Sequence, residues 1–338
     1  MKKNTLINIL ITLLFIAVIS HAFFGAGDRR ESLFNLSANA SIMLPKSQTT
    51  LSEGKSSRAV SAVISEYSEN ISEPSETVSP SPINNYTPKA PVLTSTSAQK
   101  TGIKNDTGYS VDAAALLSEP VYKKRGEKTV LIMHTHTSEA YADSAAAAGD
   151  SYRNQNEETN IISVGNVIEQ ALLNRGIGVI HDKTYHDYPS YSGAYRRALE
   201  TINGNLSKYP SVTFVFDVHR DAMQDASGQY MKTQYIKDGV ESAQALLVVG
   251  TDANGLEHPN WRENLRYALR IQKKMNEKYP GLARPLHLRK ERFNGHACPG
   301  EMIIEVGSNG NTAEEARIAA KYIAECIADV ISEIPENK

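Results

Sequence analysis

The hydrophobic positions of the chain fall into two regimes. From Leu6 to Phe24 almost every residue is apolar, with interruptions at Asn8, Thr12, Ser20 and His21. About 20 apolar residues are enough to cross a bilayer as a helix. Lys2 and Lys3 precede the run, which favours an inside amino terminus and an outside remainder. No small-residue cleavage site stands out near Ala22–Gly27, so residues 1–26 are expected to form a retained single-pass anchor in the cell membrane. From Gly27 to Tyr122 no helical or strand period persists. Ser, Thr, Asn and Pro recur there, as in Ser65–Ser81 and Tyr86–Gln99, and the composition predicts a disordered extracytoplasmic tether over 27–122. Such a tether has an r.m.s. span of roughly 50–60 Å, a reach suited to work beyond the membrane surface. Val111–Leu117 reads as a short helix leading into the folded domain.

From Lys123 to Lys338 the pattern alternates between short apolar runs and amphipathic stretches. Val130–Met133, Val179–Ile180, Val212–Val218, Ala243–Val249 and Met302–Val306 read as strands. Thr159–Asn174 places Ile161, Val164, Ile168, Ala171 and Leu172 at helical spacing, and Gly176 and Gly178 flank its end. Tyr191–Leu206 and Pro259–Tyr279 are further helices. Thr312–Ile334 is a closing helix with Thr312 as N-cap and Glu315 three residues on, the pattern of a capping box. Alternation of this kind predicts one α/β domain over 123–338, a mostly parallel sheet flanked by helices on both faces.

Charge narrows the partners. The chain has 36 Lys and Arg against 38 Asp and Glu, no basic excess of the kind nucleic acid demands. Its two cysteines, Cys298 and Cys326, form no Cys-x-x-Cys pair and are expected as unpaired thiols. Neither a Gly-x-Ser-x-Gly elbow nor a P-loop is present.

Chemistry concentrates at strand ends, where open α/β sheets bind ligands. Val130–Met133 runs into His134-Thr135-His136. Val212–Phe216 runs into Asp217-Val218-His219-Arg220-Asp221. Met302–Ile304 runs into Glu305. Imidazoles and carboxylates are the donors of a zinc site that keeps one position for water. Either His134 or His136 can serve as ligand, since alternate residues share a face only while the chain stays extended. Glu157 and Glu158 open the helix beside the first strand end and are candidates for a third ligand. A carboxylate in a strand as apolar as that of Glu305 is costly unless it is paired or functional. His181 and His186 form a polar cluster after the second strand, and His296 lies in a loop before the Glu305 strand.

Three segments carry a resemblance: Val130 to Glu139 (VLIMHTHTSE), Phe216 to Asp221 (FDVHRD) and Ile303 to Gly307 (IIEVG). Together with the anchor and the Ser-rich tether they resemble the stage II sporulation protein P family. That family is similar in turn to zinc-dependent N-acetylmuramoyl-L-alanine amidases. The resemblance implies an amidase-like domain with one Zn2+, held by His136, His219 and Glu157, with His134 and Glu158 as alternatives. It implies Glu305 as the catalytic carboxylate, with Gly307 and Asn309 matching the residues that trail it. His134, Arg220 and Asn309 become candidates for contact with the substrate or its oxyanion. The amidases usually carry Asp-Pro-Gly-His where this chain has His134-Thr135-His136. The implied activity is hydrolysis of peptidoglycan during engulfment, as amidase and as endopeptidase. The implied partners are the lytic transglycosylase stage II sporulation protein D and the membrane protein stage II sporulation protein M.

Overall fold

Period-two alternation sorts the central strands onto two faces. In the strand β3 (Val130–Met133), Val130 and Ile132 enter one apolar cluster while Leu131 and Met133 enter another. The computed structural model describes residues 92–93, 102–143 and 152–337. In chain order its elements are β1 (Val92–Leu93), β2 (Ile103–Asn105), α1 (Ala113–Ser118), β3, α2 (Ile161–Asn174), β4 (Val179–His181), α3 (Ala194–Lys208) and β5 (Phe214–Asp221). There follow β6 (Lys232–Thr233), β7 (Tyr235–Lys237), β8 (Val240–Ser242), β9 (Ala245–Val249), α4 (Trp261–Lys278), β10 (Leu286–Leu288), β11 (Gly300–Ser308) and α5 (Ala313–Glu333).

Seven strands form one sheet in the order β2-β10-β9-β11-β5-β3-β4. Every pairing is parallel except β11 with β9. The sheet is therefore two parallel halves of opposite direction joined at that seam. The expected α/β class and mostly parallel sheet are both present. The main core lies on one face, where α2, α4 and α5 cover Val130, Ile132, Phe214, Phe216, Met302 and Ile304. The opposite face is covered by α3, whose Ala198 and Ile202 pack on Leu131, Met133 and Val215. Burial of this continuous apolar surface is the main favourable term in folding. The Thr312 capping box forms as expected: its hydroxyl accepts from Glu315 N, and the Glu315 carboxylate accepts from Thr312 N.

The folded unit starts earlier than the expected 122/123 boundary. β2 is an edge strand of the main sheet, pairing with β10, and Leu116 of α1 belongs to the main core. Residues 102–122 are thus domain rather than tether. Apart from β1, which pairs in parallel with β6, the rest of the tether and the anchor expected at residues 1–26 lie outside the described residues. Among the described residues no helix is long and apolar enough to cross a membrane. Both cysteines are buried free thiols, as expected.

Candidate active site

The α3 face changes character along the strands. Val215 is apolar and packed under α3, but Asp217 and His219, two and four residues on, are polar and buried. β11 pairs Ile303 with Asp217 and Glu305 with His219, so Glu305 stands beside His219 on that face. A register shift follows between Glu305 and Ser308. Gly307 sits in it at φ +70°, where an added Cβ would meet Ala243 Cβ and Asn311 Oδ1 at 2.9 Å.

After Met133 the chain turns, and the turn decides which histidine faces the site. Thr135 donates from N (2.7 Å) and from Oγ1 (2.6 Å) to the Asp217 carboxylate. His134 is thrown towards α2. Its Nδ1 lies 2.8 Å from Val218 O and its Nε2 2.9 Å from His181 Nε2. Both nitrogens are engaged, and burial beside His181 pushes the His134 pKa down to about 3. His134 therefore presents no unpartnered ring nitrogen. His136 turns to the α3 face instead, stacked on Tyr191 (4.3 Å between centroids, 6°) and edge-on to His219 (5.4 Å, 83°). Its Nδ1 is buried with no hydrogen-bond partner. Burial holds the ring neutral, with a pKa down to about 3.

The third member of the group is Glu139, which sequence spacing did not single out. The same turn carries its carboxylate back to His219, with Oε2 3.3 Å from His219 Nδ1, and Oε2 accepts from Arg220 N at 3.1 Å. On the other side of the ring, His219 Nε2 lies 2.8 Å from Asp217 Oδ1 but is not aligned for a hydrogen bond. Burial alone would lower the His219 pKa, but these two carboxylates outweigh it and hold it well above the usual histidine range. Burial would likewise raise the Glu139 pKa, but Arg220, His219 and Arg153 hold it well below the carboxylate range. Glu157 and Glu158, the expected third ligands, are exposed in the turn before α2, whose N-cap is Asn160. That helix start does not reach the histidines.

Glu305 is partly buried as a residue, with Oε2 fully enclosed and unpartnered. Burial pushes its pKa up to about 8, and the carboxylates of Asp221 and Glu139 add to the rise. Arg220 is buried and committed to this cluster: Nε donates to Ala140 O at 3.1 Å and Nη1 lies 3.9 Å from Glu139 Oε1. Asn309 Oδ1 accepts from Met223 N at 3.1 Å, which braces the loop after β5. His186 is also structural, with Nδ1 2.7 Å from His134 O and Nε2 2.8 Å from Thr201 Oγ1. His296 lies in the short turn before β11, near His258.

Among the described residues, no three His, Cys, Asp or Glu side chains stand at ligating distance from one point. The donor chemistry nevertheless fits zinc. Two imidazoles and a carboxylate share one buried cluster, and one nitrogen of each imidazole has no hydrogen-bond partner.

Fold and site define an α/β protein with a buried His–His–Glu cluster and a high-pKa carboxylate at the ends of its parallel strands. The model of the stage II sporulation protein P family matches residues 38–328, and the chain belongs to that family. Stage II sporulation protein P of Bacillus subtilis (strain 168) is 28% identical over 221 residues, covering 62% of this chain and 51% of that protein. The chain thus spans about half the length of the curated relative it matches. Among solved structures, an N-acetylmuramoyl-L-alanine amidase of Nostoc punctiforme is similar at a TM-score of 0.35 and 16% identity, covering 62% of this chain and 97% of that one. The catalytic domain of an amidase from Bacillus (Paenibacillus) polymyxa is similar at a TM-score of 0.36 and 17% identity, covering 61% and 97%.

Proposed function

We propose that the chain is a zinc-dependent peptidoglycan hydrolase that cleaves the amide bond between muramic acid and L-alanine and also cuts peptide cross-links. The observation that carries the reading is the meeting of His136, His219 and Glu139 with Glu305 on one face of the sheet, with His136 Nδ1 and Glu305 Oε2 unpartnered. His136, His219 and Glu139 would hold the metal, with Glu139 in place of Glu157. Bound zinc polarises a scissile carbonyl and makes water more acidic. Asp217 and Thr135 fix the turn that aims His136. Glu305 takes a proton from the attacking water. As the carbon–nitrogen bond breaks, it passes that proton to the leaving amine. In the metal-free chain burial keeps this carboxyl protonated near neutral pH; a bound cation would draw its pKa down and free it to accept the proton of water. Water adds to the carbonyl carbon, and the products are a carboxylate and a free amine.

The apolar run at Leu6–Phe24 is read as a membrane anchor that leaves the catalytic domain outside the cytoplasm. Stage II sporulation proteins D and M are the proposed partners, from family membership alone. The test is muropeptide digestion beside zinc content for the parent, His136→Ala and His219→Ala. Free muramic lactyl groups mark an amidase, new amino ends within cross-links an endopeptidase, and free D-alanine a carboxypeptidase. Wall binding with no cleavage, whatever metal is supplied, would make the chain a binding module instead.

A further inference from the structure

The loop that carries both His136 and Glu139 is tied to one residue outside it. The Asp187 side chain is fully buried. It accepts from Ser138 N (3.1 Å to Oδ1), from Ser138 Oγ (2.6 Å to Oδ2) and from Arg153 Nη1 (2.9 Å to Oδ2). Ser138 sits between the two proposed ligands in the chain. Arg153 touches both by other routes. Its guanidinium lies 4.6 Å over the Tyr191 ring, and that ring is stacked on His136 at 4.3 Å. Its Nη2 lies 3.6 Å from Glu139 Oε1.

Arg153 therefore stands between two carboxylates, close to Asp187 and further from Glu139. The balance has a direction. A buried guanidinium must be paired, and it is drawn to whichever carboxylate is open to it. With Asp187 in place, the strong charge-assisted bond is made there, and Glu139 keeps its Oε1 for another cation. Without that charge, Arg153 closes on Glu139 and pulls its plane off Tyr191, and Ser138 loses its acceptor.

We propose that Asp187 and Arg153 are positioning residues for the His136–Glu139 pair: Asp187 takes the short bond of Arg153 and limits it to a longer ion pair with Glu139, and Arg153 clamps Tyr191 against His136. The proposal rests on the reading of His136 and Glu139 as metal ligands. Residues that orient ligands from behind in this way usually matter ten- to a hundredfold for metal affinity.

The test uses the full-length chain and the near-isosteric Asp187→Asn, with Arg153→Gln and Arg153→Lys beside it. Two readouts are taken. The first is the His136 ring-proton signal of the metal-free chain, shifted by the stacked Tyr191 ring. The second is zinc affinity by competition with a chelating indicator, measured well below each variant's unfolding midpoint. Asp187→Asn and Arg153→Gln are expected to move the His136 signal towards its unstacked position and to weaken zinc ten- to a hundredfold. Arg153→Lys keeps the charge but not the planar fork, and should recover part of both. A parent that binds no zinc, yet shows the His136 shift lost in Asp187→Asn, would sink the metal reading and leave the positioning role standing. Variants with a lowered midpoint but an unmoved His136 signal and parental zinc affinity would show that Asp187 and Arg153 serve the fold alone, and would overturn the proposal.

Discussion

Glu305→Gln separates a titrating buried carboxyl from its shape. The unfolded chain releases this proton near 4.5, whereas the folded chain keeps it until about 8. Between those values the unfolded state binds fewer protons, so rising pH costs the fold stability. At 1.36 kcal/mol per pH unit the full displacement is about 5 kcal/mol, a ceiling rather than an expectation. Glu305 keeps part of its surface in solvent, which screens the effect, so about 2–3 kcal/mol is the expected share. Gln holds the same volume and carries no proton to lose. The variant should match the parent at pH 5 and exceed it increasingly up to pH 8 or 9. For a folded unit of this size that is roughly 5–10 °C in thermal midpoint. The assay is thermal unfolding in a chelating buffer across that range, which removes any metal contribution. A midpoint difference that stays flat with pH would refute the assignment of a buried high-pKa carboxyl to Glu305.

Other outcomes test neighbouring parts of the account. Thr312→Ala removes the hydroxyl half of the capping box and should cost about 1 kcal/mol, read by chemical denaturation. Gly165→Ala, mid-helix in α2, should gain up to about 1 kcal/mol by propensity alone. Its new Cβ would instead meet His181 Nε2 at 2.6 Å and His134 Cε1 at 2.9 Å, so a lowered midpoint is expected, and a raised one would show that the two rings can move apart. Because His219 is held protonated by Asp217 and Glu139, a metal must displace that proton. Apparent zinc affinity should therefore rise with pH, by about tenfold per unit for one displaced proton; a flat profile would remove His219 as a ligand.

Much of the fold was legible because β3, β5 and β11 are apolar runs that end abruptly in polar residues, and because α5 announces itself with Thr312 and Glu315. β2 and β10 are three residues each, too short for a period to show, and the β7–β8 hairpin is equally brief. The site was half visible. His219 and Glu305 stand on paired strands, and the register sets them side by side. His134, His136 and Glu139 lie on a turn, where strand periodicity no longer says which way a side chain points. That turn is set by Thr135 on Asp217 and by Ser138 on Asp187, contacts from residues 49 to 82 positions away in the chain. The resemblance implies Glu157 as third ligand, yet Asn160 caps the helix it precedes and the glutamate is exposed.

The choice of Glu139 over Glu157 puts the central claim at its most exposed. Zinc content and released stem peptide should be measured together on the full-length parent, Glu139→Ala and Glu157→Ala. About one zinc per chain is expected in the parent and in Glu157→Ala, with digestion intact in both. Metal and digestion should be lost together in Glu139→Ala. Retained zinc and cleavage in Glu139→Ala, with both lost in Glu157→Ala, would contradict it.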